Sequence, residues 1–118
     1  MGALVDALQS FENTLDAWLI EATPVPGEID KLSPAQLADL ERLCALREDV
    51  QGDLLNLIAA ELRIPASALG AAQKQLDAAS AELKGLAKDI ATLSSVLTIA
   101  GTVLSIAGSV LAAALPIL

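Results

Sequence analysis

The sequence predicts an all-α protein, and three observations support this prediction. The composition is 54% hydrophobic but only 2% aromatic, and its apolar residues are mostly Ala and Leu, which favour helices. Apolar residues recur every three or four positions along most of the chain. Prolines that interrupt this pattern fall in two short stretches, TPVPGE and RIPA. These stretches divide the 118 residues into three predicted helices.

The first two predicted helices span about residues 3–21 and 34–63. Ser33 offers an N-cap for the second helix, and Pro34 suits its first position. The apolar stripe of the first helix consists of Leu4, Leu8, Phe11, Leu15 and Trp18. The predicted buried side of the second helix consists of Leu40, Leu43, Leu46 or Arg47, Val50, Leu54, Leu57 and Leu62.

The third predicted helix begins near residue 66 and meets no further breaker before Pro116. A strict seven-residue repeat runs along it, which is typical of a left-handed supercoil against a partner helix. The sequence therefore predicts a hairpin or bundle of three helices with a very long, heptad-patterned C-terminal helix. The repeating residues are Leu69, Leu76, Leu83, Ile90, Leu97, Leu104, Leu111 and Leu118. The other core position of each heptad is held by Ala72, Ala79, Leu86, Leu93, Ala100, Ala107 and Ala114.

Charge divides the chain into two regions. Residues 1–89 form an acidic amphipathic region, with predicted helices at about 3–21, 34–63 and 66–89. Residues 90–118 contain no charged side chain. A helix that is hydrophobic all round is buried in protein or in lipid. We therefore predict that residues 90–118 form a membrane span or the core of an oligomer.

The segment TIAGTVLSIAGSVL repeats a glycine-bearing heptad and places small residues along one strip of the helix. A glycine inside a helix costs about 1 kcal/mol relative to alanine, so two on one strip need a compensating role. Close approach of another helix is one such role. The alternative is that these residues fill a tight soluble core. The predicted helix-packing interface comprises Ser94, Leu97, Thr98, Ala100, Gly101, Leu104, Ser105, Ala107, Gly108, Leu111 and Ala112.

The residue types argue against enzymatic chemistry. The chain contains no His and no Tyr, and its single cysteine, Cys44, has no histidine to act as its base. We interpret Cys44, which lies between Leu43 and Leu46 on a helical pattern, as a small buried residue. We expect no catalytic residue, no cofactor, no metal site and no small-molecule substrate.

The net charge of −8 restricts the possible partners. An acidic chain gains nothing from releasing phosphate counterions, so we expect no nucleic-acid partner. Anionic lipid headgroups repel it, so any contact with a bilayer must be hydrophobic.

Two functional hypotheses remain open, beside the alternative that the C-terminal helix is buried in a bundle within a single chain. In the first, the acidic region lies in water while the C-terminal helix inserts into a membrane and oligomerises. This layout resembles the general plan of α-helical pore-forming proteins and of small membrane-permeabilising phage proteins, in which amphipathic helices sheath an uncharged helix rich in small residues. In the second, the protein is a soluble, filamentous or extracellular homo-oligomer whose C-terminal helices share a dry core. The lack of aromatic residues at either end of the apolar segment favours the second hypothesis.

Overall fold

The protein is all-α, as the composition predicts. Its structure, a computed structural model, describes residues 2–22, 32–60 and 63–114, and no strand occurs among them. A short 3-10 helix, Ile90–Thr92, precedes the last α-helix. The α-helices are α1 (Ala3–Ala22), α2 (Pro34–Ala60), α3 (Ala66–Gly85) and α4 (Leu93–Ala114).

The structure corrects the prediction of three helices with one very long helix at the C-terminus. The predicted third helix ends at Gly85, and Leu86 takes an extended conformation with φ −79° and ψ 146°. Asp89 is also extended, and its carboxylate accepts a hydrogen bond from the backbone N–H of Ala91 at 3.3 Å. Glycine lowers helix propensity and aspartate is a preferred N-cap, so this short segment ends one helix and starts the next.

The turn after Gly85 also changes which heptad residues face the core. Leu76 and Leu83 in α3 are fully or almost fully buried. In α4 the leucines at the same heptad position are only half-buried, and valines one residue earlier take the core positions. A seven-residue repeat can therefore continue through a turn without one continuous helix. The half-buried leucines are Leu97, Leu104 and Leu111, and the buried valines are Val96, Val103 and Val110.

The predictions for α1 and the start of α2 are confirmed. All five residues of the α1 stripe are buried, and Phe11 and Trp18 are among the largest fully buried side chains. Ser33 and Gln36 form a reciprocal capping box: Ser33 Oγ accepts from the Gln36 N–H at 3.1 Å, and Gln36 Oε1 accepts from the Ser33 N–H at 2.9 Å. In α2 the buried predicted residues are Leu40, Leu43, Val50, Leu54 and Leu57, with Leu46 and Arg47 half-buried; Leu62 lies outside the described residues.

The four helices form two antiparallel hairpins that lie side by side. In the first hairpin Arg47 pairs with Asp16, and Gln51 donates to Glu12 at 3.0 Å, so α2 runs opposite to α1. In the second hairpin α4 runs back along α3. The hairpins meet with α1 against α3 and α2 against α4, so α4 contacts both α2 and α3. The bundle measures 49 × 24 × 20 Å.

Asp53 is the carboxylate in α2 whose pKa departs from its ordinary value. Partial burial raises the pKa of Asp53, and repulsion from Asp49 one turn earlier raises it further. The ionised form is therefore less favourable in the folded protein than in the unfolded chain. At neutral pH the charge on Asp53 opposes folding.

We accordingly expect Asp53→Asn to raise the thermal midpoint at pH 7, by about 2 °C. The gain is full above the raised pKa of folded Asp53 and vanishes below the ordinary value of 3.8, where Asp53 is protonated in both states. Asp49→Asn is the control, because it removes only the repulsion, which is the smaller cause. Thermal melts at several pH values measure both variants. An equal gain at pH 7 and pH 3 would contradict this assignment.

Candidate functional site

Helix α4 presents two chemically different sides. Its inward side carries the larger apolar residues and is buried against α2 and α3. Its outward side carries hydroxyl-bearing and small residues. The buried residues are Leu93, Val96, Ile99, Ala100, Val103, Ala107 and Val110. The exposed residues are Ser94, Ser95, Thr98, Gly101, Thr102, Ser105, Gly108, Ser109, Ala112 and Ala113.

The predicted helix-packing interface is divided between these two sides. Ala100 and Ala107 are buried inside the bundle. Leu97, Leu104 and Leu111 are half-buried along the edge of α4. The remaining six residues are all exposed, and we call them the small-residue ribbon: Ser94, Thr98, Gly101, Ser105, Gly108 and Ala112.

The two glycines of the ribbon are not needed for packing within the bundle. A Cβ atom added at Gly101 or at Gly108 would meet no atom within 4 Å. The alternative that these glycines fill a tight core is therefore wrong for the single chain. No contact within the bundle therefore accounts for glycine at these two positions. Packing of a second helix against the ribbon stays a prediction.

Hydroxyl groups on the outward side are satisfied within the helix. Thr98 Oγ1 donates to the Ser94 carbonyl at 3.1 Å, and Thr102 Oγ1 donates to the Thr98 carbonyl at 3.0 Å. Ser109 Oγ donates to the Ser105 carbonyl at 2.9 Å. These bonds to the preceding turn do not depend on water. They lower the free-energy cost of moving this side of α4 into an apolar medium.

Grooves lie on both sides of the ribbon. One groove, of about 400 Å³, separates α4 from α2, where Asp39 and Arg42 face the ribbon. The other, of about 350 Å³, separates α4 from α3 and has a mostly apolar α3 wall of Ala68, Ala71, Ala72 and Gln75. The first groove borders the ribbon at Ser94, Thr98 and Gly101, and the second borders it at Ser105.

The apolar length of α4 meets the requirement for a membrane span. Residues Ile90–Ala113 number 24 and have a mean hydropathy of 2.0. Within their 18-residue window, 33% is buried in the bundle. Of the described helices, this one alone is long and apolar enough to cross a bilayer. The core helix of a soluble protein meets the same criterion, so length and composition do not separate the two hypotheses.

The interpretation of Cys44 as a buried residue is wrong. Cys44 is exposed on α2 and lies in a groove with Leu19 and Ile20 of α1. Asp16 and Arg47 close this groove, and their hydrogen bond raises the pKa of the Arg47 guanidinium. Within residues 2–22, 32–60 and 63–114, no group of three His, Cys, Asp or Glu side chains is placed to hold a metal ion.

A hydrogen bond of Trp18 has no signal in the local sequence pattern. The indole Nε1–H of Trp18 donates to the carbonyl of Ala87 and to Oγ1 of Thr92, both at 3.2 Å. These contacts join α1 to the turn between α3 and α4. The periodicity of α1 predicts that Trp18 is buried, but it carries no information on the partner of its N–H group.

Comparison of the chain with protein-family models, curated proteins and solved structures finds no match. Helix α4 is therefore the candidate functional site. Its distinctive features are its length, its lack of charge and its exposed ribbon.

Proposed function

We propose that this protein is a non-enzymatic, membrane-associated helical protein whose helix α4 enters a bilayer and packs there against α4 of other copies. The acidic region, residues 1–89, stays in water. The observation that carries the proposal is the combination, on one uncharged helix, of sufficient length to span and an exposed small-residue ribbon.

The dimensions of α4 support insertion. The 24 residues Ile90–Ala113 extend about 36 Å at 1.5 Å per residue, and the hydrocarbon core of a bilayer is about 30 Å thick. No charge follows Asp89 in the sequence, while Lys84 and Lys88 come just before the span. Both lysines are exposed, at the end of the bundle from which α4 starts. Lysines flanking a span suit the headgroup layer.

The ribbon supports self-association. Gly101 and Ser105, and likewise Gly108 and Ala112, have the four-residue spacing that lets two helix backbones approach closely in a membrane. All four residues point away from the bundle. Association through the ribbon therefore uses side chains other than those that α4 buries in the bundle.

The charge of the protein supports a hydrophobic mode of membrane contact. With a net charge of −8, the protein is repelled by anionic headgroups. We therefore expect it to bind vesicles of zwitterionic phosphatidylcholine at least as well as vesicles that contain phosphatidylserine.

A second candidate is a soluble homo-oligomer in which the ribbons of neighbouring copies pack in water. The bundle itself favours this candidate, because the larger apolar residues of α4 already face inward and its outward side carries hydroxyl groups. For either candidate the proposed partner is another copy of the chain. We assign no nucleic acid, substrate, metal or cofactor to it.

Vesicle flotation followed by an alkaline carbonate wash tests the proposal. We expect the protein to float with phosphatidylcholine vesicles and to stay with them after the wash. Light scattering without lipid is the companion measurement. Protein that is washed off, with a scattering mass several times 12.1 kDa, would favour the soluble oligomer. Protein that neither floats nor exceeds the monomer mass would contradict both candidates.

A further inference from the structure

A buried side chain of α1 forms hydrogen bonds with the turn between α3 and α4. Trp18, the only tryptophan in the chain, is 1% exposed. Its Nε1–H is shared between the Ala87 carbonyl and Thr92 Oγ1, each at 3.2 Å. Both acceptors belong to the α3–α4 hairpin. A buried indole N–H that loses its acceptors carries the cost of an unpaired donor.

The hydroxyl of Thr92 connects this contact to the shape of the turn. Thr92 Oγ1 lies 2.7 Å from the Ala87 carbonyl and 2.8 Å from the Asp89 carbonyl. A hydroxyl has one proton, so it donates to one of these carbonyls while accepting from Trp18. The indole therefore binds the turn only in the conformation that ends α3 and starts α4. A weaker, exposed ion pair between Lys88 and Glu21, at 3.5 Å, lies beside it.

The covalent connection between the two hairpins lies at the other end of the bundle. Helix α2 ends at Ala60 and α3 begins at Ala66, whereas Trp18 contacts the turn beyond the other end of α3. The 20 residues of α3 separate these two points by about 30 Å. Separation of the hairpins at the Trp18 end therefore needs no break in the chain.

We propose that Trp18 is a latch: when its hydrogen bonds to Ala87 and Thr92 break, the α3–α4 hairpin separates from the α1–α2 hairpin and α4 becomes free to enter the bilayer. The inference rests on the proposed function for its membrane step. The opening itself takes place in water and is measured there. In the closed bundle the inward side of α4 is covered, so opening precedes insertion.

Exchange of the indole proton tests the latch without lipid. The single tryptophan gives one indole N–H signal in a proton–nitrogen spectrum, and its hydrogen-exchange rate reports opening at this contact. We expect this proton to exchange faster than the slowest amides of the bundle core, because the latch opens without global unfolding. Exchange no faster than that of those amides would overturn the proposal.

Two matched threonine variants sharpen this test. Thr92→Val removes the hydroxyl at the latch, and we expect indole exchange to become about fivefold faster, as for the loss of one hydrogen bond. Thr102→Val removes an exposed hydroxyl that bonds only within α4, so it should leave the rate unchanged. Equal rates in the two variants would overturn the latch. Circular dichroism verifies that both variants remain helical.

A reversible cross-link tests whether the latch must open before the protein binds a membrane. It also tests the latch if Thr92→Val does not fold. In a Cys44→Ala background, Glu21→Cys and Lys88→Cys place thiols at two exposed positions on opposite sides of the latch. Joining them with a linker that contains a disulfide should slow indole exchange and prevent vesicle flotation, and reduction should restore both. Flotation of the locked protein would overturn the latch while preserving the proposed function. A wild-type protein that never floats contradicts the proposed function, and indole exchange still decides the latch.

Discussion

Val103→Asp is expected to unfold the bundle, whereas Thr102→Asp at the neighbouring position is expected to leave it folded. Val103 is 0% exposed and lies in the core, while Thr102 is exposed on the outward side of α4. An unpaired charge in the core costs several kcal/mol, a large part of the 5–15 kcal/mol that typically stabilises a domain. Circular dichroism melts measure this difference. If both variants melt alike, α4 is not oriented as the structure shows.

The same Thr102→Asp variant has a large predicted effect on membrane association. Position 102 lies near the middle of Ile90–Ala113, where a charged aspartate costs about 2.5–3.5 kcal/mol in a membrane helix. We expect vesicle binding to weaken about 100-fold. Thr102→Asn is the control, because asparagine is similar in size to aspartate but uncharged, and this variant should bind vesicles far better than Thr102→Asp. Equal binding of the two variants would show that position 102 does not enter the hydrocarbon.

The second large effect concerns the ribbon glycines. We expect Gly101→Leu combined with Gly108→Leu to weaken self-association about thirtyfold or more, because overpacking costs about 1–3 kcal/mol per site. The double alanine variant should associate nearly as well as the wild type. The alanine change should not harm the single chain, because a Cβ at these positions meets no atom within 4 Å, and the leucine side chains start from exposed positions on the outward side of α4. Alanine should even raise helix stability.

The effect of replacing the two glycines is measured as the yield of cross-linked oligomer, compared between variants of equal helicity. The comparison is informative because the leucine and alanine variants both remove the glycines and differ only in side-chain volume. A low yield for the double leucine variant, with a normal yield for the double alanine variant, assigns the ribbon to a helix–helix interface. Equal yields would show that the ribbon faces solvent or lipid tails.

Local sequence patterns predicted the first half of the fold well. The α1 stripe, with Phe11 and Trp18, alternates at helical spacing with polar residues, so only one side of the helix can be buried. The start of α2 carries its own chemical signal in Ser33 and Pro34, and the structure shows Ser33 as the cap, with Gln36 as its reciprocal partner.

The turn between α3 and α4 was not predicted because its signals are weak in sequence. Gly85 and Asp89 are tolerated inside helices, and the heptad repeat passes through them without losing phase. Besides the local bonds of Asp89 and Thr92, the turn is stabilised by the indole of Trp18, about 70 positions earlier in the chain. Such a long-range contact cannot be read from local periodicity.

The orientation of α4 illustrates a second limit. Leu97 and Val96 begin two parallel apolar seams that differ by one residue, and both continue at seven-residue spacing. No charged side chain marks which seam faces solvent, and the hydroxyl-bearing side of α4, which lies opposite the valine seam, is a weaker signal that a heptad pattern of leucines obscures. Contacts with α2 and α3 select the valine seam. For Cys44 the prediction fails because the residue adjoins buried Leu43 in sequence, whereas the buried stripe of α2 continues from Leu43 to Val50 and leaves Cys44 exposed.

The central claim is that α4 moves from the bundle into a bilayer, and a dye at position 102 tests it most directly. In a Cys44→Ala background, Thr102→Cys carries an environment-sensitive dye, and Ala45→Cys carries the same dye on the exposed side of α2 as control. On adding phosphatidylcholine vesicles, the dye at 102 should shift its emission to shorter wavelength and be quenched by a spin label at the bilayer centre. The dye at position 45 should remain accessible to an aqueous quencher. If the dye at 102 also stays open to the aqueous quencher and is not quenched by the lipid label, the claim is contradicted.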